Sequence, residues 1–116
     1  MSTGIAAADP LASHRWEKRP LVLIAPEGDP RAAEQERSIE ASRAAFEDRD
    51  QVLVAAREGD GLRQRFGVAP GDFAVVLVGL DGGEKARWSE PVDPAETFAL
   101  IDAMPMRLRE MREDGQ

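Results

Sequence analysis

The chain has 116 residues, 15 Lys and Arg against 22 Asp and Glu, and a formal net charge of −7. That length suffices for one hydrophobic core and not for two of ordinary size, and the acidic balance excludes a role built on neutralising a phosphate backbone. With no Cys, no Tyr and one His, disulfides, thiol chemistry, Cys-based zinc sites and most His-centred catalysis fall away. A hydrophobic fraction of 42% beside 32% charged residues is that of a chain that folds.

Residues 1–15 read as a flexible lead-in, with a single domain over 16–113. Met1 to His14 holds no apolar run behind a basic start, so no secretory signal is read. The chain as written is expected to be cytoplasmic, and periplasmic or secreted if the true start lies elsewhere or a leader has been removed. The longest apolar stretches, Leu21 to Pro26 and Phe73 to Val78, fall far short of the ~20 residues that cross a bilayer.

Pro20 to Ala25 is a continuous apolar run and predicts a strand buried on both faces. Asp29-Pro30 supplies a capping acceptor and a proline at the first helical position, opening one long helix to about Asp48. Ala32, Gln35, Ile39, Arg43 and Phe46 share its inner side, and Arg43 can pair with Glu47. Gln51 to Ala56 predicts a second buried strand, parallel to the first through that helix. Asp60 caps a short helix over 61–66. Phe73 to Gly79 is a third buried strand, the Asp81-Gly82-Gly83 turn follows, and Glu84 to Trp88 returns as a half-exposed antiparallel strand. Asp93-Pro94-Ala95-Glu96 opens a helix with Phe98, Ile101 and Met104 on one face. Pro105 interrupts it, and Met106 to Glu113 is expected to add a short turn or two in which Leu108 and Met111 pack.

The order β-α-β-α-β-β-α predicts an α/β protein with a four-stranded mixed sheet and helices on both faces, the arrangement of the thioredoxin-like fold. The segment Leu23-Ile24-Ala25-Pro26-Glu27-Gly28-Asp29-Pro30-Arg31 resembles the place where a thioredoxin leaves its central strand for its active-site helix. On that pattern Gly28, Asp29, Pro30 and Arg31 occupy the positions of Cys-Gly-Pro-Cys, with both redox cysteines missing. Trp16, Leu23 to Pro26, Leu62 to Val68, Val78 to Lys85 and Ile101 to Arg107 together resemble a bacterial domain-of-unknown-function family with this fold, the prokaryotic DUDES domains, related to repeated domains of animal extracellular matrix proteins. The resemblance covers about Trp16 to Met111. Members often carry Lys before the Asp-Gly turn, and Leu80 stands there in this chain. The family has no agreed activity, so the resemblance implies a fold and little chemistry.

Each chemical candidate stands beside a structural reading. A reactive thiolate at a helix N-terminus is the thioredoxin device, and with zero Cys disulfide exchange by this chain alone is excluded. The amides before the long helix can hold an anion, against which Asp29 is a cap already and Glu27 repels. Glu27, Asp29, Glu58 and Asp60 are expected at the carboxyl end of the parallel strands, where carboxylates can bind Mg²⁺ or Ca²⁺; no metal-loop spacing accompanies them, and solvated acidic loops are the usual outcome. His14 has no Ser or Asp at triad spacing. Pro70 sits near the place of the thioredoxin cis-proline, offset by Gly71 and Asp72, and a trans bond is expected. Trp16 and Trp88 are the candidate partner surface, with packing at the edge of the core as the structural alternative. Arg107, Arg109 and Arg112 alternate with Met and Leu in a tail that either docks a partner or packs on its own domain.

The resulting expectation is a thioredoxin-like domain without thiol redox chemistry, acting as a protein- or peptide-binding or scaffold module through the edge strand that ends at Trp88. No cofactor, no metal ligand set, no nucleic acid and no membrane span is expected. The alternative is a thiol-independent or metal-dependent enzyme using the acidic loops, and a third reading is a subunit of a homo-oligomer.

Overall fold

The computed structural model describes residues 9–114. Four strands, β1 (Arg19–Ile24), β2 (Gln51–Ala55), β3 (Ala74–Val78) and β4 (Glu84–Trp88), form one sheet in the order β2-β1-β3-β4. β1 and β2 are parallel, with Leu21 opposite Leu53, while β3 runs antiparallel to both β1 and β4. Among the described residues five α-helices accompany the sheet: α1 (Pro30–Ala41), α2 (Arg43–Asp48), α3 (Leu62–Arg65), α4 (Pro94–Asp102) and α5 (Pro105–Asp114). This is the four-stranded mixed α/β architecture expected from the element order.

Strand alternation divides the core in two. Leu21, Leu23, Val75 and Leu77 point to one face and pack with Ile39 of α1, Phe46 of α2, Val92 and Ile101 of α4. Val22, Ile24, Ala74, Val76 and Val78 point to the other and meet Leu62, Phe66 and Val68. β1 and β3 are buried along their whole length because each has a strand on both sides and a hydrophobic layer on both faces.

Several expectations are corrected. The segment from Arg31 to Asp48 is two helices, broken at Ser42, whose φ of −120° and ψ of 29° leave the helical region. Its N–H turns back to the Ile39 carbonyl at 3.0 Å. The break releases Arg43 from the inner stripe to an exposed pairing with Glu40 and Glu47, and it turns Phe46 into the core at 5% exposure. β2 is an edge strand with Val52, Leu53 and Val54 half-buried, because its apolar run has a neighbour on one side only. α5 is a ten-residue helix rather than a turn or two. Of the lead-in, residues 1–8 lie outside the described residues. The following stretch makes a 3-10 turn, Ala12–His14, beside Leu11, which is 3% exposed and joins the core layer under α3.

Candidate functional site

The loop leaving β1 places Asp29 as the cap of α1. Gly28, at a φ of +78°, makes the turn that brings it there, and the Asp29 carboxylate accepts from the Arg31 N–H at 2.9 Å. Arg31 then folds back on its own cap. Its Nε donates to both Asp29 oxygens at 3.1 and 3.2 Å and its Nη2 to Oδ2 at 2.8 Å. Nη1 reaches Glu90 at 3.3 Å, and the guanidinium lies 4.5 Å from the centre of the Phe73 ring. Hydrogen bonds from the Arg31 side chain and backbone hold the Asp29 carboxyl below the ordinary carboxylate range, and Asp29 in turn raises Arg31. Gly28, Asp29, Pro30 and Arg31 thus build a closed ion pair anchored on an aromatic ring. A bidentate pair of this kind offers neither a nucleophile nor a free base.

A carboxyl whose folded pKa is lowered contributes stability above its unfolded pKa and loses it as pH falls through the folded value. Asp102 is lowered in the same sense, first by the Arg49 hydrogen bond. The melting temperature is thus expected to hold at neutral pH and to fall on acidification below about pH 4. Asp29→Asn should flatten that acid limb, and a limb unchanged by the substitution would show that the pair does not contribute. Calorimetry across the pH series provides the measurement.

Next to this pair a cleft of about 940 Å³ opens at the carboxyl ends of β1 and β2. Ala25, Pro26, Ala56, Val68 and Pro70 give it apolar wall, and Glu27, Glu58, Asp60, Arg57 and Arg63 give it charge. Three of the four carboxylates expected to converge do line it, while Asp29 is absent from its lining and occupied by Arg31. Asp60, one residue before the Gly61 N-cap of α3, is also engaged, accepting from the Leu62 N–H at 3.0 Å. Among the described residues no three His, Asp or Glu side chains are grouped to hold a metal ion, and Arg57 and Arg63 line the same cleft. Arg63 instead ties the loop before β3, donating to the carbonyls of Ala69 and Asp72 at 2.6 and 2.9 Å. The Pro70 bond is trans.

The two indoles are not brought together. β1 and β4 run in the same direction because each is antiparallel to β3, so Trp16, before β1, and Trp88, at the end of β4, occupy opposite ends of the sheet. Trp88 packs against the core layer of α1 and α4, whereas Trp16 is 61% exposed. Leu80, in the turn, is buried at 8% exposure. His14 is half-buried in its 3-10 turn. Arg107 leaves the exposed basic cluster altogether and is 6% exposed, held by Asp48, Asp102 and Glu110. Sequence reasoning missed the buried polar residues Arg19, Thr97 and Arg107. Only tertiary partners distinguish such residues from surface ones.

Among the described residues no helix is long and apolar enough to cross a membrane. No curated protein sequence matches the chain. Among solved structures it is similar to the reduced 2-Cys peroxiredoxin of Plasmodium vivax, with a TM-score of 0.66 at 13% identity over 85% of this chain and 84% of that one. It is also similar to Plasmodium yoelii Prx1a modified at the N-terminus, with a TM-score of 0.63 at 14% identity over 91% and 82%. These likenesses identify the thioredoxin-like fold and nothing of the chemistry. Residues 10–110 match the family model of a domain of unknown function, DUF4174, and the chain belongs to that family.

Proposed function

We propose that the chain is a thioredoxin-like binding module without thiol chemistry, which takes an extended peptide segment of a partner protein along the β2 edge and into the adjoining cleft. The observation that carries this reading is the contrast between the two edges of the sheet. β4 carries Glu84 paired with Arg87 at 2.9 Å and Lys85 paired with Asp81 at 3.0 Å, and a register shift interrupts its pairing with β3 between Leu77 and Val78. Charges and irregular pairing are the means by which an edge is kept from accepting another strand. β2 has neither. Its five residues, Gln51-Val52-Leu53-Val54-Ala55, hold no charge and include three half-buried aliphatic side chains, and it is paired on one side only.

This moves the binding edge from the strand ending at Trp88, where the sequence reading put it, to the opposite side of the sheet. An added strand gains main-chain hydrogen bonds from the free side of β2, and its alternate side chains extend the apolar faces at Val52 and Val54. Beyond Ala55 the path continues into Ala56, Arg57 and Glu58 of the cleft wall, where charged residues of the peptide would be read.

Selection of a displayed peptide library against the immobilised chain tests the reading. Enriched peptides are expected to alternate apolar residues and to shift the amide resonances of residues 51–58. Ala55→Lys, an exposed position, should weaken them roughly tenfold, about 1.4 kcal/mol, with Lys85→Glu on β4 having no effect. Absence of enrichment, or shifts confined to β4, would reject the proposal.

A further inference from the structure

Among the described residues three helices begin with proline: α1 at Pro30, α4 at Pro94 and α5 at Pro105. Before the first two stands an aspartate, which accepts from the N–H two residues on, Arg31 at 2.9 Å and Ala95 at 3.0 Å. Before α5 stands Met104, whose thioether is a weak acceptor, and the first turn of α5 holds no acidic side chain. The positive end of this helix lacks the carboxylate that the other two receive from the chain itself.

A second pocket, of about 380 Å³, opens at this corner, between Trp16, Leu80, Lys85 and the Met104-Pro105-Met106 segment, with Arg19 in its wall. Arg19 is 1% exposed. Its Nη1 donates to the Arg49 carbonyl at 3.0 Å and its Nη2 reaches Glu110 only at 3.4 Å, while Nε is buried and has no hydrogen-bond partner among the described residues. A guanidinium taken out of water normally satisfies all its donors; this one has the Arg49 carbonyl and the Glu110 carboxylate on its Nη atoms and leaves Nε unsatisfied. Trp16 forms part of the wall with its backbone in the left-handed region, at a φ of 69°, pinned by its N–H to the Leu80 carbonyl at 2.6 Å. Its indole is 61% exposed, and a non-glycine residue in this backbone region is uncommon. Gly79 lines the pocket beside Lys85.

From these features we infer a binding site for a small organic carboxylate at the α4–α5 corner. Its anionic group satisfies the Arg19 Nε and the open amides at the start of α5, and its apolar body lies against Trp16, Leu80 and Met106. The volume is that of a small-molecule site. Lys85 adds positive charge at the rim, partly offset by Asp81, to which it is bonded at 3.0 Å. The site lies at the end of the sheet opposite the cleft and does not depend on the β2 edge.

In a Trp88→Phe background Trp16 is the sole indole, because the chain has two. Titration with 3-phenylpropionate is expected to shift its emission to shorter wavelength, saturably. The neutral 3-phenylpropanamide should bind at least about tenfold more weakly, since only the acid makes charge-assisted bonds. Met106→Glu, at a position 42% exposed, supplies an internal carboxylate to the first turn and should abolish the shift while the melting temperature is kept. Arg19→Met should abolish it too; should that variant unfold, Met106→Glu decides. Equal affinity for acid and amide, no saturation up to millimolar acid, or full binding to Met106→Glu would each overturn the inference. Ala55→Lys should leave the titration unchanged, so this site and the β2 edge stand or fall separately.

Discussion

Gln35→Leu is expected to cost about 3 kcal/mol of stability, although leucine fills nearly the same space and favours a helix at least as well. Gln35 is fully buried, and its amide clamps Val92 from both sides: Nε2 donates to the Val92 carbonyl at 2.9 Å and Oε1 accepts from the Val92 N–H at 2.8 Å. Leucine leaves both backbone groups buried without partners, and each such group costs about 1–3 kcal/mol. At about 4 °C per kcal/mol for a domain of this size, the melting temperature should fall by roughly 12 °C. Urea unfolding with an unchanged slope would assign the loss to the native state. A loss below about 1 kcal/mol would show that the 89–93 segment relaxes into water and recovers its bonds there. The clamp also links stability to the candidate site, since the same segment carries Glu90 to Arg31. Faster amide exchange around Glu90 should accompany the global loss.

Arg107→Met should be nearly as damaging, about 2–4 kcal/mol. The Arg107 guanidinium joins three helices, reaching Asp48 of α2 at 2.8 Å, Asp102 of α4 at 3.4 Å and Glu110 of α5 at 3.3 Å, and it donates to the Asp48 carbonyl at 3.3 Å. Its removal costs α5 a principal tie and leaves Glu110 to its pairing with Arg19 at 3.4 Å. Asp48→Ala should cost much less, because that carboxylate is 67% exposed and water replaces its partner. Asp102 keeps a bidentate pair with Arg49, at 2.9 and 3.1 Å, so α4 should stay in place when α5 loosens. Chemical unfolding of both variants, with amide exchange of α5 against α4, checks the order. Equal losses for Arg107→Met and Asp48→Ala would show that burial of the guanidinium is not what holds the helix. The same geometry makes truncation after Pro105 a poor probe of a docking tail, because it removes core ties along with any surface.

The chain sequence by itself determined the four strands, the parallel pairing of the first two, the hairpin of the last two and the aspartate caps of α1 and α4. These follow from local causes: continuous apolar runs, the Asp81-Gly82-Gly83 turn, and Asp-Pro pairs whose carboxylates bond amides two residues away. It also determined that no thiol chemistry occurs, because composition alone decides that. The tertiary structure decided which apolar strand became an edge, since Gln51 to Ala55 and Ala74 to Val78 look alike in composition and differ only in how many neighbours they acquire. It decided that the helix after Pro30 breaks at Ser42, where turning Phe46 into the core outweighs helical continuity. It decided the fate of the arginines as well. Arg19, Arg31 and Arg107 share a side chain, and most of the carboxylates, carbonyls and rings that divide them into a pocket wall with one unsatisfied donor, a closed cap and a three-helix tie come from segments distant in sequence, whose meeting no local pattern encodes.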